Sequence, residues 1–157
     1  MGRTEKSIII KALPEKIWEM LALDRLLEWQ IGFDKVRSIE YTSEVGNPKD
    51  KYRVGAFAHG IPKKQGESIK LNFEIRENLE NEKIIHHIRE KMFLGTFTLL
   101  STFTLEPVEA GTKFTYVGDY EMPWGIFGKF LDKLFLERGL KKDVEKFLEN
   151  LKSILEK

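Results

Sequence analysis

The sequence contains no cysteine, which excludes disulfide bonds, a thiolate nucleophile and zinc sites built from cysteine. It also lacks long hydrophobic runs, and no segment approaches the roughly 20 apolar residues that a membrane-spanning helix requires. Residues 1–13 contain no apolar stretch long enough for a signal peptide. We therefore expect a soluble, cytoplasmic protein with no integral membrane association.

Neither sign of charge is in excess. The chain has 26 Lys plus Arg against 25 Asp plus Glu, a net charge of +1, and the two signs are interspersed. A nucleic-acid-binding protein usually shows a basic excess or a basic stripe, so we expect no nucleic-acid partner. The charged residues are mainly 19 Lys and 19 Glu, against two Gln, a bias that resembles the composition of thermophile proteins.

Motifs of established catalytic chemistry are missing as well. The sequence has no GxSxG nucleophile elbow, no phosphate loop with Walker spacing, and no HxH, HxxxH or HExxH pair of metal ligands. Two of its three histidines, His86 and His87, are adjacent, but neighbours in a strand point to opposite faces of a sheet. They could not both bind one metal ion without a bulge. We expect no metal, no cofactor and no dedicated catalytic residue.

The pattern of the chain predicts one domain, residues 1–157. Apolar alternation near Ile8 and Ile10 predicts a strand, Pro14 favours a helix start, and Asp24 is a predicted N-cap of a second short helix. Six strand-like segments follow, separated by turn signals, and their polar–apolar alternation is typical of antiparallel strands with one wetted face. The segments are 35–44, 51–60, 67–77, 82–92, 97–107 and 111–123, with a loop predicted at 60–66.

Residues from about 124 to 156 show the apolar period of one long helix. Two apolar stripes, before and after Gly139, differ in direction by about a quarter turn. We predict that the second stripe closes the core. Either the helix bends near Gly139, or the first stripe covers something different from the second. The first stripe contains Phe127, Phe130 and Leu134, and the second contains Val144, Phe147 and Leu151.

Four stretches resemble the polyketide-cyclase-like proteins of the START and birch-pollen-allergen superfamily, also called SRPBCC. The similarity extends over nearly the whole chain, in order. The resemblance implies an α+β helix-grip fold: seven strands form a curved antiparallel sheet around the long C-terminal helix, with two short helices after the first strand (β-α-α-β6-α). The stretches are KALPEKIWEML (11–21), EIRENLENEKIIH (74–86), TLEPVEAGTKFTYVGDYEMP (104–123) and FLENLKSILEK (147–157).

Such a fold implies an apolar cavity between the sheet and the long helix. The first stripe of the helix would then cover the cavity near its mouth; the alternatives for this stripe are ordinary core packing and a homodimer contact. In phase with Ile84 and Ile88, His86 is predicted to point inward and His87 outward. A cavity histidine with a pKa near neutrality would suit the orientation of a ligand hydroxyl or carbonyl, or acid–base work on a ketone. Trp29 and Trp124 lie at the ends of predicted elements, where loops form the rim of the cavity in this fold. The residues predicted to line the cavity are Trp29, Phe73, His86, Phe97, Phe103, Tyr116, Tyr120, Trp124, Phe127, Phe130 and Leu134.

Three functions agree with this pattern. The leading hypothesis is a non-enzymatic protein that binds or carries a hydrophobic small molecule: a lipid, sterol, quinone or aromatic polyketide-like compound. The first alternative is a cyclase or dehydratase acting on an aromatic or polyketide-like substrate, with His86, Tyr116 or Tyr120 handling protons. The second is a protein-interaction module that resembles chaperone activators.

Overall fold

A computed structural model describes residues 2–22, 25–26, 29–30, 36–42, 52, 54, 57–64, 67–68, 71–92, 95–121 and 137–157. Eight strands and two helices are found within them. In chain order these are β1 (Gly2–Ile10), α1 (Pro14–Met20), β2 (Val36–Thr42), β3 (Phe57–Lys64), β4 (Glu67–Ser68), β5 (Leu71–Leu79), β6 (Lys83–Met92), β7 (Gly95–Val108), β8 (Gly111–Glu121) and α2 (Glu137–Leu155).

The strands form one antiparallel sheet in the order β1-β8-β7-β6-β5-β3-β2, and the two-residue β4 pairs with β3. Strands β5 to β8 are therefore joined by successive hairpin connections, whereas β1 reaches β8 from the opposite end of the chain. This arrangement, with a C-terminal helix, confirms the predicted α+β class and is consistent with a helix-grip fold. It places β6 at the middle of the sheet, between β7 and β5, and β8 next to the edge strand β1.

Three details differ from the prediction or cannot be compared with it. The seven-strand count is not confirmed, because the segment predicted at 67–77 contains both β4 and β5. The loop predicted at 60–66 is wrong at its start, since β3 continues to Lys64 by pairing with β2 and β4. The second short helix after Asp24 and the first half of the long helix lie largely outside the described residues.

Helix α1 anchors one end of the core. Pro14 occupies its first turn, where the missing N–H removes no helical hydrogen bond. Ile17, Trp18 and Met20 are buried, which gives the helix an apolar face directed at the sheet. Trp18 also stacks on Tyr52, with ring centroids 5.4 Å apart.

Helix α2 covers the face of the sheet that carries Phe103 and Phe114, which we call the inner face. Val144, Leu148 and Leu151 are buried in the shared core, and Phe147 packs against its edge, as the predicted second stripe requires. At the rim, Lys6 of β1 donates to Glu145 of α2 at 2.8 Å. The core therefore lies between the inner face and α2. Neither described helix is long and apolar enough to span a membrane.

Trp29 is the largest side chain in the centre of this core. It is 1% exposed, and its ring lies edge-on to Phe103, Phe114 and Phe147 at centroid distances of 5.9, 6.4 and 5.5 Å. Its indole N–H donates to the Met20 carbonyl oxygen at 2.8 Å, so its polar atom is satisfied. Trp29 thus holds the sheet, α2 and the end of α1 together.

Candidate functional site

A row of small and polar residues crosses the inner face at mid-sheet. His86 of β6 lies opposite Ser101 of β7, Ser101 lies opposite Gly118 of β8, and Gly118 lies opposite Thr4 of β1. Directly paired residues in antiparallel strands share a face and are close neighbours. We call these four residues the polar row. All are buried, with His86 fully so.

The neighbouring rows of the inner face are apolar and aromatic. On one side Ile84 pairs with Phe103, and Phe103 with Tyr116. On the other side lie Ile88, Leu99 and Tyr120, which are also register partners in turn. The polar row is therefore a narrow polar strip within an otherwise hydrophobic surface.

Tyr116 places its hydroxyl over the polar row. The hydroxyl lies 3.3 Å from Ser101 Oγ, where either oxygen can donate. A Cβ atom on Gly118 would stand 2.6 Å from this hydroxyl, closer than two such atoms can approach. Gly118 is therefore the residue that leaves room for the Tyr116 ring to lie along its own strand. Burial raises the pKa of Tyr116, partly opposed by the Ser101 hydrogen bond, so the phenol stays neutral.

This close approach gives a first prediction. Gly118→Ala should lower the free energy of unfolding by about 1–2 kcal/mol, because the Tyr116 hydroxyl must move and lose its buried partner. Gly139→Ala is the matched control. A Cβ there meets nothing within 4 Å, and alanine in a helix is favoured over glycine by roughly 0.5–1 kcal/mol. Urea unfolding of both variants is the measurement. A Gly118→Ala variant as stable as the parent would contradict the described packing.

His86 has no hydrogen-bond partner for either ring nitrogen within the described structure. Its ring packs against Phe103, with centroids 5.4 Å apart and planes at 63°. Burial lowers the pKa of His86 to about 4, below the neutral range that suits acid–base work at pH 7. A neutral imidazole carries one N–H donor and one acceptor nitrogen, and both are available here.

The adjacent residues His86 and His87 lie on opposite faces of the sheet, as strand pleating predicts. His87 lies on the outer face, partly exposed, and Arg76 donates to its Nδ1 at 3.0 Å. Burial, together with Arg89 and Arg76, lowers the pKa of His87. Within the described part of the chain, no group of three His, Asp or Glu side chains is placed to bind a metal ion. The doublet therefore contributes a single residue, His86, to the inner face.

The other predicted lining residues fall into three groups. Phe73, Phe103, Tyr116 and Tyr120 are buried on the inner face with His86, and Phe97 is partly exposed near the start of β7. Trp29, predicted from its position at an element end, lies in the packed core between sheet and helix instead of at a rim. The remaining four lie outside the described residues: Trp124, Phe127, Phe130 and Leu134. Contact of any of these residues with a ligand stays a prediction.

The exposure of the inner-face side chains of β7 rises from Phe103 toward Phe97. Phe103 is fully buried, Ser101 is 3% exposed, and Leu99 and Phe97 are partly exposed. Along β7, the polar row therefore lies between the fully buried Phe103 and the partly exposed Leu99 and Phe97, although Ile88 and Tyr120 beside Leu99 are buried. Thr4 and Gly118 complete the row, and no local sequence pattern indicates their association because they meet only through the pairing of β1 with β8.

Two open clefts of about 460 Å³ lie away from the inner face. One is bordered by α1 and the β5–β6 turn, and the other lies on the outer face beside His87. Both are bordered mainly by exposed or partly exposed side chains. The first is lined by Glu15, Trp18, Glu19, Tyr52, Asn78, Glu80 and Asn81, and the second by His87, Thr98, Leu100, Asp119, Tyr120 and Glu121.

An antiparallel sheet packed on a C-terminal helix, with a buried polar strip on its inner face, defines an α+β protein of helix-grip type. The profile of the family described as polyketide cyclase / dehydrase and lipid transport matches residues 1–156. The chain belongs to this family. No protein of curated function matches it.

Solved structures support the same fold. A protein of Nitrosomonas europaea superposes with a TM-score of 0.71 at 13% identity, covering 98% of this chain and 94% of that chain. A protein of Mesorhizobium loti gives 0.70 at 18% identity, with 99% and 97% covered. A protein of Thermus thermophilus gives 0.65 at 20% identity, with 97% and 95% covered. At these identities the likeness concerns the fold alone.

Proposed function

We propose that the protein binds a hydrophobic small molecule on the inner face of its sheet. The observation that carries the proposal is the polar row, whose His86 nitrogens have no partner in the described structure although they are fully buried. A buried polar group without a partner costs about 1–3 kcal/mol. A ligand that supplied the missing hydrogen bond would remove that cost while its apolar part covered the surrounding side chains.

The available binding energy is sufficient without a charged contact. Burying about 300 Å² of apolar ligand surface contributes roughly 7–8 kcal/mol, from which association and ordering remove a part. Hydrogen bonds to the polar row add to this sum. Affinities in the micromolar range follow for a compound of the size of a sterol, a quinone or a polyketide-like aromatic.

Binding accounts for the polar row better than proton transfer does. An efficient general base or acid has a pKa near the working pH. Burial moves the pKa of His86 down to about 4 and that of Tyr116 upward, so both groups are held neutral at pH 7. Neutral groups of this kind can orient a carbonyl or hydroxyl but are poorly matched to removing a proton, which makes the cyclase alternative the weaker one.

A direct test uses the purified protein. Native mass spectrometry of the protein as purified should show a bound small molecule. After organic extraction has removed it, apolar probes such as 1-dodecanol or a fluorescent naphthalene dye should raise the unfolding temperature. Each tenfold excess of ligand over its Kd adds about 1.4 kcal/mol of stability, which the midpoint of unfolding would report. If nothing co-purifies and no probe raises the unfolding temperature, the proposal fails.

A further inference from the structure

We infer that the polar row selects ligands whose polar group is uncharged, such as a ketone, an alcohol or a phenol, and rejects carboxylates and amines. This inference rests on the proposed function and adds the chemical class of the ligand. It separates two groups of hydrophobic compounds: neutral sterol-, quinone- or polyketide-like molecules on one side, and fatty acids on the other.

The hydrogen-bonding groups of the polar row, together with the Tyr116 hydroxyl that lies over it, match a neutral ligand group. The imidazole of His86 can donate to a carbonyl oxygen or accept from a hydroxyl. The hydroxyls of Ser101 and Tyr116, 3.3 Å apart, can each donate and accept as well. His86 and Ser101 are direct register partners, so one oxygen atom of a ligand placed above them would be within reach of both.

The row offers nothing that would neutralise a charge. Among the inner-face side chains that the structure describes in β1, β6, β7 and β8, one is cationic, Lys6. It lies at the rim, half exposed, and is paired with Glu145 at 2.8 Å. A carboxylate buried at His86 would therefore lose its hydration without gaining a counter-ion from these described side chains. An ammonium group would meet the same penalty.

Protonation does not rescue carboxylate binding at ordinary pH. His86 could become a cation for a carboxylate, but burial lowers its pKa to about 4. Protonating the buried His86 at pH 7 costs free energy, and this cost offsets the gain from an ion pair between His86 and the carboxylate. The preference for an uncharged ligand should therefore hold across pH 6 to 8.

The graded burial of β7 gives such a ligand its orientation. The aromatic core beyond Phe103 is filled by Trp29 and Phe114, whereas Leu99 and Phe97 are partly exposed. A ligand that approaches from the side of Leu99 and Phe97 meets the polar row before it meets the filled core. Its polar group is therefore the deep end of the molecule, and its apolar part lies against Leu99, Phe97 and their neighbours.

The experiment compares ligands that share one alkyl chain: dodecanone, dodecanol, dodecanoate, dodecylamine and dodecane. Isothermal titration and thermal shift at pH 7.5 should give at least about tenfold tighter binding for the ketone or the alcohol than for the other three. In His86→Leu this advantage over dodecane should disappear. Tyr116→Phe, which removes a single hydroxyl, should reduce it severalfold. His87→Leu, altered on the outer face, should bind like the parent.

The outcomes separate the two proposals. Binding of dodecanoate as tightly as dodecanone would overturn the inference and leave the proposed function standing. Equal affinity for dodecane and dodecanone, or an unchanged ketone preference in both His86→Leu and Tyr116→Phe, would show that the polar row does not contact the ligand. If none of the five compounds binds, the proposed function fails and the inference fails with it.

Discussion

Lowering the pH from 7 to 4 should cost the protein about 3 kcal/mol of stability that the His86→Leu variant does not lose. The folded protein holds the pKa of His86 at about 4 by burial, against 6.5 for an unperturbed histidine. Between these values the unfolded chain binds a proton at this site and the folded chain does not. Stability from this site is therefore complete above pH 6.5 and is lost progressively as the pH falls toward 4.

The size of the effect follows from the shift. Each unit of pKa difference corresponds to 1.36 kcal/mol, and at pH 4 most of a difference of about 2.5 units is expressed. Leucine is close to histidine in volume and carries no polar atoms. At pH 7 the substitution should therefore be neutral or stabilising by about 1 kcal/mol, because it removes two buried nitrogens without partners.

Urea unfolding at half-unit steps between pH 4 and pH 8, followed by tryptophan fluorescence, measures both curves. The acidic and basic groups common to the two proteins cancel in the difference. His87→Leu is the comparison variant: the pKa of His87 is also lowered, but its ring is partly exposed on the outer face, so its removal should change the pH dependence in the same direction and by less than His86→Leu. Parallel curves for the parent and His86→Leu would mean that His86 is hydrated or paired in the folded state.

The elements that could be predicted from the sequence are those with local signals. Alternation in β7 and β8 and the spacing of Val144, Leu148 and Leu151 in α2 are properties of neighbouring residues, and all of them agree with the structure. The same alternation assigned His86 to the inner face and His87 to the outer one. Local periodicity is sufficient for these features because it directly fixes which side chains share a face.

What could not be predicted depends on pairing between distant parts of the chain. The polar row exists because Thr4 pairs with Gly118, two residues with no local sign of association. The continuation of β3 through Pro62 to Lys64 depends on pairing with β2 and β4, which outweighs the turn signal of glycine and proline. A tryptophan at an element end carries no information about depth, so Trp29 was assigned to a rim.

Trp29→Ala should destabilise the protein by about 3–5 kcal/mol, the cost of removing a large buried aromatic side chain and leaving a cavity. Trp29 is fully enclosed and contacts rings from β7, β8 and α2. Its loss therefore removes packing between the paired strands β7 and β8 and the helix α2. The relaxation that reduces such costs elsewhere is limited here, because Phe103 and Phe114 are themselves stacked, with centroids 5.7 Å apart.

A second variant at Trp29 divides this cost, and a variant at an exposed side chain serves as the control for the assignment of Trp29 to the core. Trp29→Phe keeps an aromatic ring but removes the N–H that donates to the Met20 carbonyl, which should account for about 1–3 kcal/mol. Leu13→Ala, at a side chain that is 68% exposed, should change stability by less than about 0.5 kcal/mol. Urea unfolding followed by circular dichroism avoids dependence on tryptophan fluorescence. A Trp29→Ala variant whose free energy of unfolding lies within about 1 kcal/mol of that of Leu13→Ala would place Trp29 at the rim of the cavity, as its position at an element end predicts. The aromatic contacts between sheet and helix would then contribute little to the stability of the fold.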